Sequence, residues 1–229
     1  MDENSFYFGK KILVTAGPTW VPVDRVRVLT SIFSGETGLR IARHFSNLGA
    51  DITLLMGPGR AKFEKDDWNS MNIKQFFYYD DLDNLLHQKL KEEKYDIIIH
   101  SSAVADYTPS NKFNGKIPSG SKDLTIELET TEKLVDYIRT EAPESFLVKF
   151  KLQVGKTQCE LLDIALNSLR NSNANLIVAN DLDEMAGENH VAYILDNTGK
   201  AEKVLTKEDL CRGLEREIKE NFGTRTRNS

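Results

Sequence analysis

The residues with the clearest chemical content are glycines and hydroxyls that follow an apolar run. In "TAGPTWVPVDRVRVLTSIFSGETG" (15–38), Gly17 comes directly after "KILVTA", and Ser34, Gly35 and Gly38 stand where an amphipathic segment begins. A glycine there lets the backbone approach a ligand closely, and the unpaired amides at a helix start favour an anion. The spacing is neither G-x-G-x-x-G nor G-x-x-x-x-G-K-[ST]. Two readings therefore stand, a phosphate-binding mouth or glycines that serve only tight turns and helix packing. A second loop, "HSSAVADYTP" (100–109), offers small residues at Ser102 and Ala103 and a carboxylate at Asp106. His100 ends an apolar run, where a histidine is more often a satisfied core residue than a catalyst. A third loop, "VANDLDEM" (178–185), carries Asn180, whose amide can face a base or substrate or can close an Asx turn.

These loops need elements that bring them together. "KILVTA" and "DITLLMG" are short, apolar and rich in β-branched residues, and Ile41, Ala42, Phe45 and Leu48 recur between them at helical spacing before Gly49. The segment from Lys11 to Gly57 thus predicts a parallel β–loop–α–β unit. "DLDNLLHQKLKEEK" predicts a helix feeding a strand at "YDIIIHSSA", and "SFLVKFKL" (145–152) predicts another strand. "CELLDIALNSLR" predicts a helix, "ANLIVAND" a fifth strand, "VAYIL" a strand before an "NTG" turn, and "TKEDLCRGLEREIKENF" a terminal helix capped by Thr206. The alternation predicts a doubly wound, mostly parallel α/β sheet with helices on both faces, one domain over 1–229. Its loops after successive strands would share one edge. The exception is "YTPSNKFNGKIPSGSKDLTIELETT" (107–131), which is punctuated by proline and glycine. It reads as a flap insertion, mobile over about 107–123 around Lys116, continuing into a strand at 124–129; a solvated insertion without function is the alternative.

Composition removes several classes. The 229 residues are 40% hydrophobic and 28% charged, with 30 basic against 35 acidic side chains and a net charge of −5, which argues against binding nucleic acid by bulk charge. No apolar run approaches the roughly 18 residues of a membrane span. The "MDENSFYFGKK" start is unlike a signal peptide. Two cysteines, Cys159 and Cys211, suit a reducing cytoplasm. No G-x-S-x-G, H-E-x-x-H or Cys-x-x-Cys occurs, and the four histidines are dispersed.

In order, "ILVTAGPT", "VDRVRVL", "SG…G", "AVADY", "KI", "FK" and "VAND", spread between Lys11 and Phe222, resemble phosphopantothenoylcysteine synthetase (phosphopantothenate–cysteine ligase). In bacteria that family is often the carboxyl-terminal half of a bifunctional DNA/pantothenate metabolism flavoprotein. The resemblance implies a ligase of coenzyme A biosynthesis that activates 4′-phosphopantothenate as an acyl-nucleotide and joins it to cysteine. It further implies CTP or ATP as co-substrate with Mg²⁺, no flavin in this half, a cytoplasmic homodimer, and no nucleic-acid or membrane partner. Gly17, Thr19, Ser34, Gly35 and Gly38 would hold the triphosphate, and Phe150 and Asn180 would frame the base. Ser102 and Ala103 would lie against phosphopantothenate with Asp106 nearby, and Lys116 would be the flap lysine. Ser31 occupies the place of the family's asparagine, "GPT" replaces "GGT", and Ser168 and Ser172 occupy positions where bacterial members carry lysines that help bind CTP. A divergent member that binds a nucleotide or flavin, or that acts on another phosphorylated ligand, is the alternative.

Overall fold

A computed structural model describes residues 5–111, 113–120, 123–185 and 190–225. The first strand, β1 (Lys11–Ala16), is followed by two-residue strands β2 (Val21–Pro22) and β3 (Val28–Leu29), then helix α1 (Glu36–Asn47) and β4 (Asp51–Met56). Next come a single helical turn α2 (Asp67–Ser70), β5 (Asn72–Gln75), α3 (Tyr79–Glu92), β6 (Ile97–His100) and β7 (Tyr107–Pro109). The second half runs β8 (Leu128–Thr130), α4 (Leu134–Glu141), β9 (Phe146–Gln153), α5 (Gln158–Asn171), β10 (Leu176–Asp181), β11 (Ala192–Asp196), β12 (Ala201–Val204) and α6 (Lys207–Arg225).

Eight strands form one sheet in the order β12-β11-β10-β9-β6-β1-β4-β5. Pairings from β5 through β10 are parallel, and the β10–β11 and β11–β12 pairs are antiparallel. The expected doubly wound α/β sheet is thus present. Side-chain alternation along its strands builds two cores. Ile12, Val14, Ile52, Leu54, Ile99 and Val148 meet Leu39, Ile41 and Phe45 of α1 and Leu210, Leu214 and Ile218 of α6 on one face. Leu13, Leu55, Ile98, Leu147 and Ile177 meet Leu82 and Leu86 of α3, Ile138 of α4 and Leu161, Ala165 and Leu169 of α5 on the other. Burial on both faces explains the near-continuous apolar runs.

The order reverses at β1. The chain steps from β1 outward to β4 and β5, then returns to β1's other side with β6 and moves on to β9 and β10. In open α/β sheets the crevice at the carboxyl ends of such a strand pair is where ligands settle.

The elements that went unread in the sequence are α2, α4, β5 and β12, with the two-residue strands β2 and β3. In the insertion, β7 and β8 pair as a hairpin, with Tyr107 opposite Thr130. The strand expected over 124–129 is found at 128–130; residues 124–127 stay outside it, though Ser110 N donates to Glu127 O at 3.1 Å. Lys112, Ser121 and Lys122 of the expected flap lie outside the described residues. Both cysteines are free thiols, Cys159 exposed and Cys211 buried.

Candidate functional site

Past their last residues β1 and β6 remain knitted together. Ala103 N donates to Gly17 O at 3.0 Å and Thr19 N donates to Ala103 O at 3.2 Å, forming a parallel bridge between Pro18 and Ala103. In this pattern both bonds skip the nitrogen of residue 18, so proline costs the bridge nothing. Thr19 is buried, and its Oγ1 accepts from Ala105 N at 2.9 Å. Its oxygen therefore fastens the two loops, leaving the hydroxyl hydrogen for a ligand.

Opposite this bridge α1 begins. Gly35, its N-cap, has φ +81°, and a Cβ there would lie 2.8 Å from Met56 Cε and 3.0 Å from Gly17 Cα. Gly38 fits because it lacks a side chain, since a Cβ would come within 2.4 Å of Ala16 Cβ and 2.5 Å of Ser101 Oγ. Ser34 Oγ accepts from Glu36 N at 3.3 Å, and the Gly35 cap supplies no side-chain acceptor. The first-turn amides and the positive helix end thus face the crevice. Glu36, in that first turn, is neutralised by Arg40 at 2.7 Å, with Lys207 at 3.9 Å.

The crevice opens into a cavity of about 770 Å³, a size that suits small-molecule ligands. Its walls include Gly17, Thr19, Ser31, Ser34, Gly35, Gly38, Ser102, Ala103, Asp106, Phe150 and Asn180. Three loops and one helix end that are far apart in sequence therefore converge. The buried hydroxyl oxygens of Ser31 and Ser102 have no hydrogen-bond partner among the described residues. Leaving a buried hydroxyl unpaired costs roughly 1–3 kcal/mol, so such groups call for an explanation. Asp106 pairs with Lys133 at the cavity rim, both exposed. Asn180 Nδ2 donates to Val191 O at 3.2 Å, while the Asx turn that ends β10 belongs to Asp181, whose Oδ1 accepts from Asp183 N at 3.0 Å. Asn180 is thereby excused from the turn and lines the cavity.

Lys116 is exposed and is not part of the cavity wall. The backbone around it is held from below. Arg25 N donates to Gly115 O at 2.9 Å, and Ile117 N donates to Asp24 Oδ2 at 3.0 Å. Asp24 also accepts from Val26 N and Arg27 N. Burial pushes its carboxyl up, but these amides and the Arg27 charge outweigh burial and hold it below its ordinary value.

One wall escaped the sequence reading. In the sheet register Thr15 of β1 lies beside His100 of β6, which lies beside Lys149 of β9. Thr15 Oγ1 is 2.8 Å from His100 Nδ1 and accepts from Ser102 N at 3.3 Å. Burial, with help from the Lys149 charge, pushes His100 down to about 4, so its ring is neutral at pH 7. Lys149 Nζ donates to Ser168 O and Ser172 Oγ, each at 3.2 Å, and burial lowers its pKa. His100, Lys149 and Ser168 all line the cavity. The expectation of a satisfied core histidine holds for the Thr15 bond, yet the same ring reaches the cavity.

The fold and cavity define a three-layer α/β protein with a crevice at the sheet's switch point, where the N-terminal end of α1 opens. The family model of the DNA/pantothenate metabolism flavoprotein C-terminal domain matches residues 7–222, and the chain belongs to that family. It is 32% identical over 213 residues to the coenzyme A biosynthesis bifunctional protein CoaBC of Thermococcus kodakarensis, covering 92% of this chain and 51% of that protein. The chain thus spans about half the length of that curated relative. Among solved structures it resembles the DNA/pantothenate metabolism flavoprotein of Streptococcus pneumoniae, with a TM-score of 0.81 and 29% identity over 92% of this chain and 99% of that one. A Cab2 variant in complex with phosphopantothenate-cysteine shares the fold at a TM-score of 0.75 and 16% identity, over 99% of this chain and 91% of that one.

Proposed function

We propose that the protein is a phosphopantothenate–cysteine ligase of coenzyme A biosynthesis, working through an acyl-nucleotide. The observation that carries this reading is a cavity at the start of α1 whose lining residues include Ser31 and Ser102, two serines whose hydroxyl oxygens have no partner among the described residues. In the first step a carboxylate oxygen of 4′-phosphopantothenate attacks the α-phosphorus of the nucleoside triphosphate. The bond to pyrophosphate breaks, and that group leaves. In the second step the cysteine amine attacks the acyl carbon, the acyl–oxygen bond breaks, and the nucleoside monophosphate leaves as the amine loses a proton.

This chain's own residues contribute position and charge. The α1 amides and the Gly17–Gly35 contact receive the triphosphate, Ser31 and Ser102 donate to oxygens at the reacting centre, and Phe150 and Asn180 flank the base. Donors fixed in place before reaction stabilise developing charge without having to reorganise. Among the described residues no group of three His, Cys, Asp or Glu could hold a metal ion. Mg²⁺ would arrive with the nucleotide, as is usual where phosphates supply most of its ligands. No described helix is long and apolar enough to cross a membrane. We further propose a homodimer acting in the cytoplasm, without bound flavin, with Lys116 closing over the nucleotide.

The test is pyrophosphate release from CTP and from ATP, with 4′-phosphopantothenate present or omitted, followed by mass detection of the cysteine amide. Release that depends on the acid with one nucleotide, and amide once cysteine is added, is the expected result. Failure to release pyrophosphate with either nucleotide would overturn the reading.

A further inference from the structure

His190 lines the cavity and is only 4% exposed, yet its ring has no hydrogen bond among the described residues. Its backbone is tied down, since His190 N donates to Leu205 O at 2.8 Å. Burial, with help from the Lys207 charge, pushes its pKa down to about 4, so at neutral pH the ring offers one N–H and one bare nitrogen. Buried polar groups are nearly always paired, and an imidazole left unpaired beside a cavity calls for a partner inside it.

Sheet geometry puts this ring beside Phe150 and Asn180. In the antiparallel β10–β11 pair Ala179 lies opposite Tyr193, so Asn180 comes opposite Ala192, and His190 precedes Ala192 by two residues. Side chains opposite one another, or two apart along a strand, share a face. Val178 and Ala192 belong to the core under α1 and α6, and Phe150 packs against that core. Phe150, Asn180 and His190 therefore stand on the α1 face, which also carries the Gly35 and Gly38 cradle. From β1 the sheet runs outward through β6 and β9 to β10. Those three strand spacings amount to roughly 14 Å, a span that an extended nucleoside triphosphate covers from phosphates to base.

Asn180 fixes what the base must offer. Its Nδ2 donates to Val191 O at 3.2 Å. A carbonyl can only accept, so the amide cannot be turned round, and Oδ1 is the atom left for a ligand. An acceptor there calls for an amino group. Cytosine carries N4 amino beside the bare N3, and adenine carries N6 amino beside the bare N1. Uracil and hypoxanthine reverse that edge, with an oxygen beside an N–H.

We infer that His190 is a specificity-determining residue whose ring N–H donates to the bare ring nitrogen of an amino-bearing base, N3 of cytosine or N1 of adenine, while Asn180 Oδ1 accepts from the amino group next to it. This rests on the ligase reading above, and it adds which bases that ligase admits and through a residue outside the three loops. An oxo base sets two acceptors face to face at Asn180, so it does not seat against His190.

The experiment measures affinities by calorimetry for the wild type, His190→Leu and His190→Gln with two sets of nucleotides, CTP, 3-deaza-CTP and UTP, and ATP, 1-deaza-ATP and ITP. The deaza analogues replace only the ring nitrogen that His190 would meet. In the set that the wild type binds tighter, the natural amino nucleotide should exceed both of its analogues by about tenfold, the worth of one hydrogen bond. His190→Leu should cost the amino nucleotide about the same factor and leave the deaza and oxo analogues within about twofold, because neither makes the bond that is lost. His190→Gln keeps a donor and should recover part of the loss. If His190→Leu misfolds, His190→Gln and the deaza analogues on the wild type decide. Equal weakening of all three nucleotides would put the ring on the sugar or the phosphates, and unchanged affinity would make it a packing residue; either result overturns the inference. Wild-type protein that discriminates bases in this way yet releases no pyrophosphate would defeat the ligase reading and leave His190 in its role, so the two failures are distinguishable.

Discussion

The two sides of the cavity are made of different materials. On the α1 face the wall is backbone, with Gly17, Gly35 and Gly38 drawn so close that side chains are excluded. On the α4–α5 face it is side chain, a row of Thr15, His100 and Lys149 laid across three neighbouring strands. A backbone wall binds through fixed dipoles and is insensitive to pH. A side-chain wall carries a titratable group and a mobile charge, so it responds to acid and to single substitutions without loss of packing.

Acid should therefore separate them most strongly. Burial pushes His100, and also His190 at the cavity's end near Asn180, down to about 4 from an ordinary 6.5. Between those values the unfolded chain binds more protons than the folded one. The stability these neutral rings contribute is full above pH 6.5 and drains as the pH falls towards 4. Linkage gives about 2 kcal/mol lost per histidine between pH 7.5 and 5. Urea unfolding at the two pH values measures it, and His100→Gln should remove roughly half of the loss. A pH-independent midpoint across that window would mean that the side-chain wall is not buried as described.

The same contrast explains what the sequence disclosed. Backbone walls leave compositional marks, since only glycine tolerates such contacts, and spaced glycines after an apolar run can be seen in one chain. The Rossmann-like alternation was legible for the same reason, because strands buried on both faces read as unbroken apolar runs. Lys149 and Lys151 alternate with Val148 and Phe150, which reads as an ordinary strand with one solvated face. That face is covered in part by α4, a short helix carrying only Leu134 and Ile138 as fully buried apolar residues. Without α4 there was no reason to suspect a half-buried lysine. The β12 edge strand was missed because "AEKV" is short and largely exposed. The place of Lys116 was illegible because it depends on Asp24, 92 positions away in the chain and known as an anchor only from its bonds to Val26, Arg27 and Ile117.

Gly38→Ala probes the backbone wall. The new methyl would meet Ala16 Cβ at 2.4 Å and Ala16 Cα at 3.2 Å, atoms fixed to β1 that cannot swing away. α1 must shift outward, at a cost of about 1–3 kcal/mol for overpacking. The shift moves the first-turn amides, so the thermal stabilisation given by the nucleotide should shrink while that given by the acid is largely kept. Equal losses for both ligands would show that the two walls are mechanically one unit.

Ser31→Ala is the smallest perturbation and the sharpest. In most buried sites deleting a hydroxyl breaks a hydrogen bond and destabilises the protein. Here Ser31 Oγ has no partner among the described residues to lose. The free protein should therefore unfold within about 0.5 kcal/mol of wild type. Acid-dependent pyrophosphate release should nevertheless fall about tenfold or more, because a donor at the reacting centre acts on charge that exists only in the transition state. Gly38→Ala ties function to stability through packing, whereas Ser31→Ala separates them. A variant that lost stability but kept its turnover would place Ser31 among the packing residues of the cavity and remove it from the chemistry.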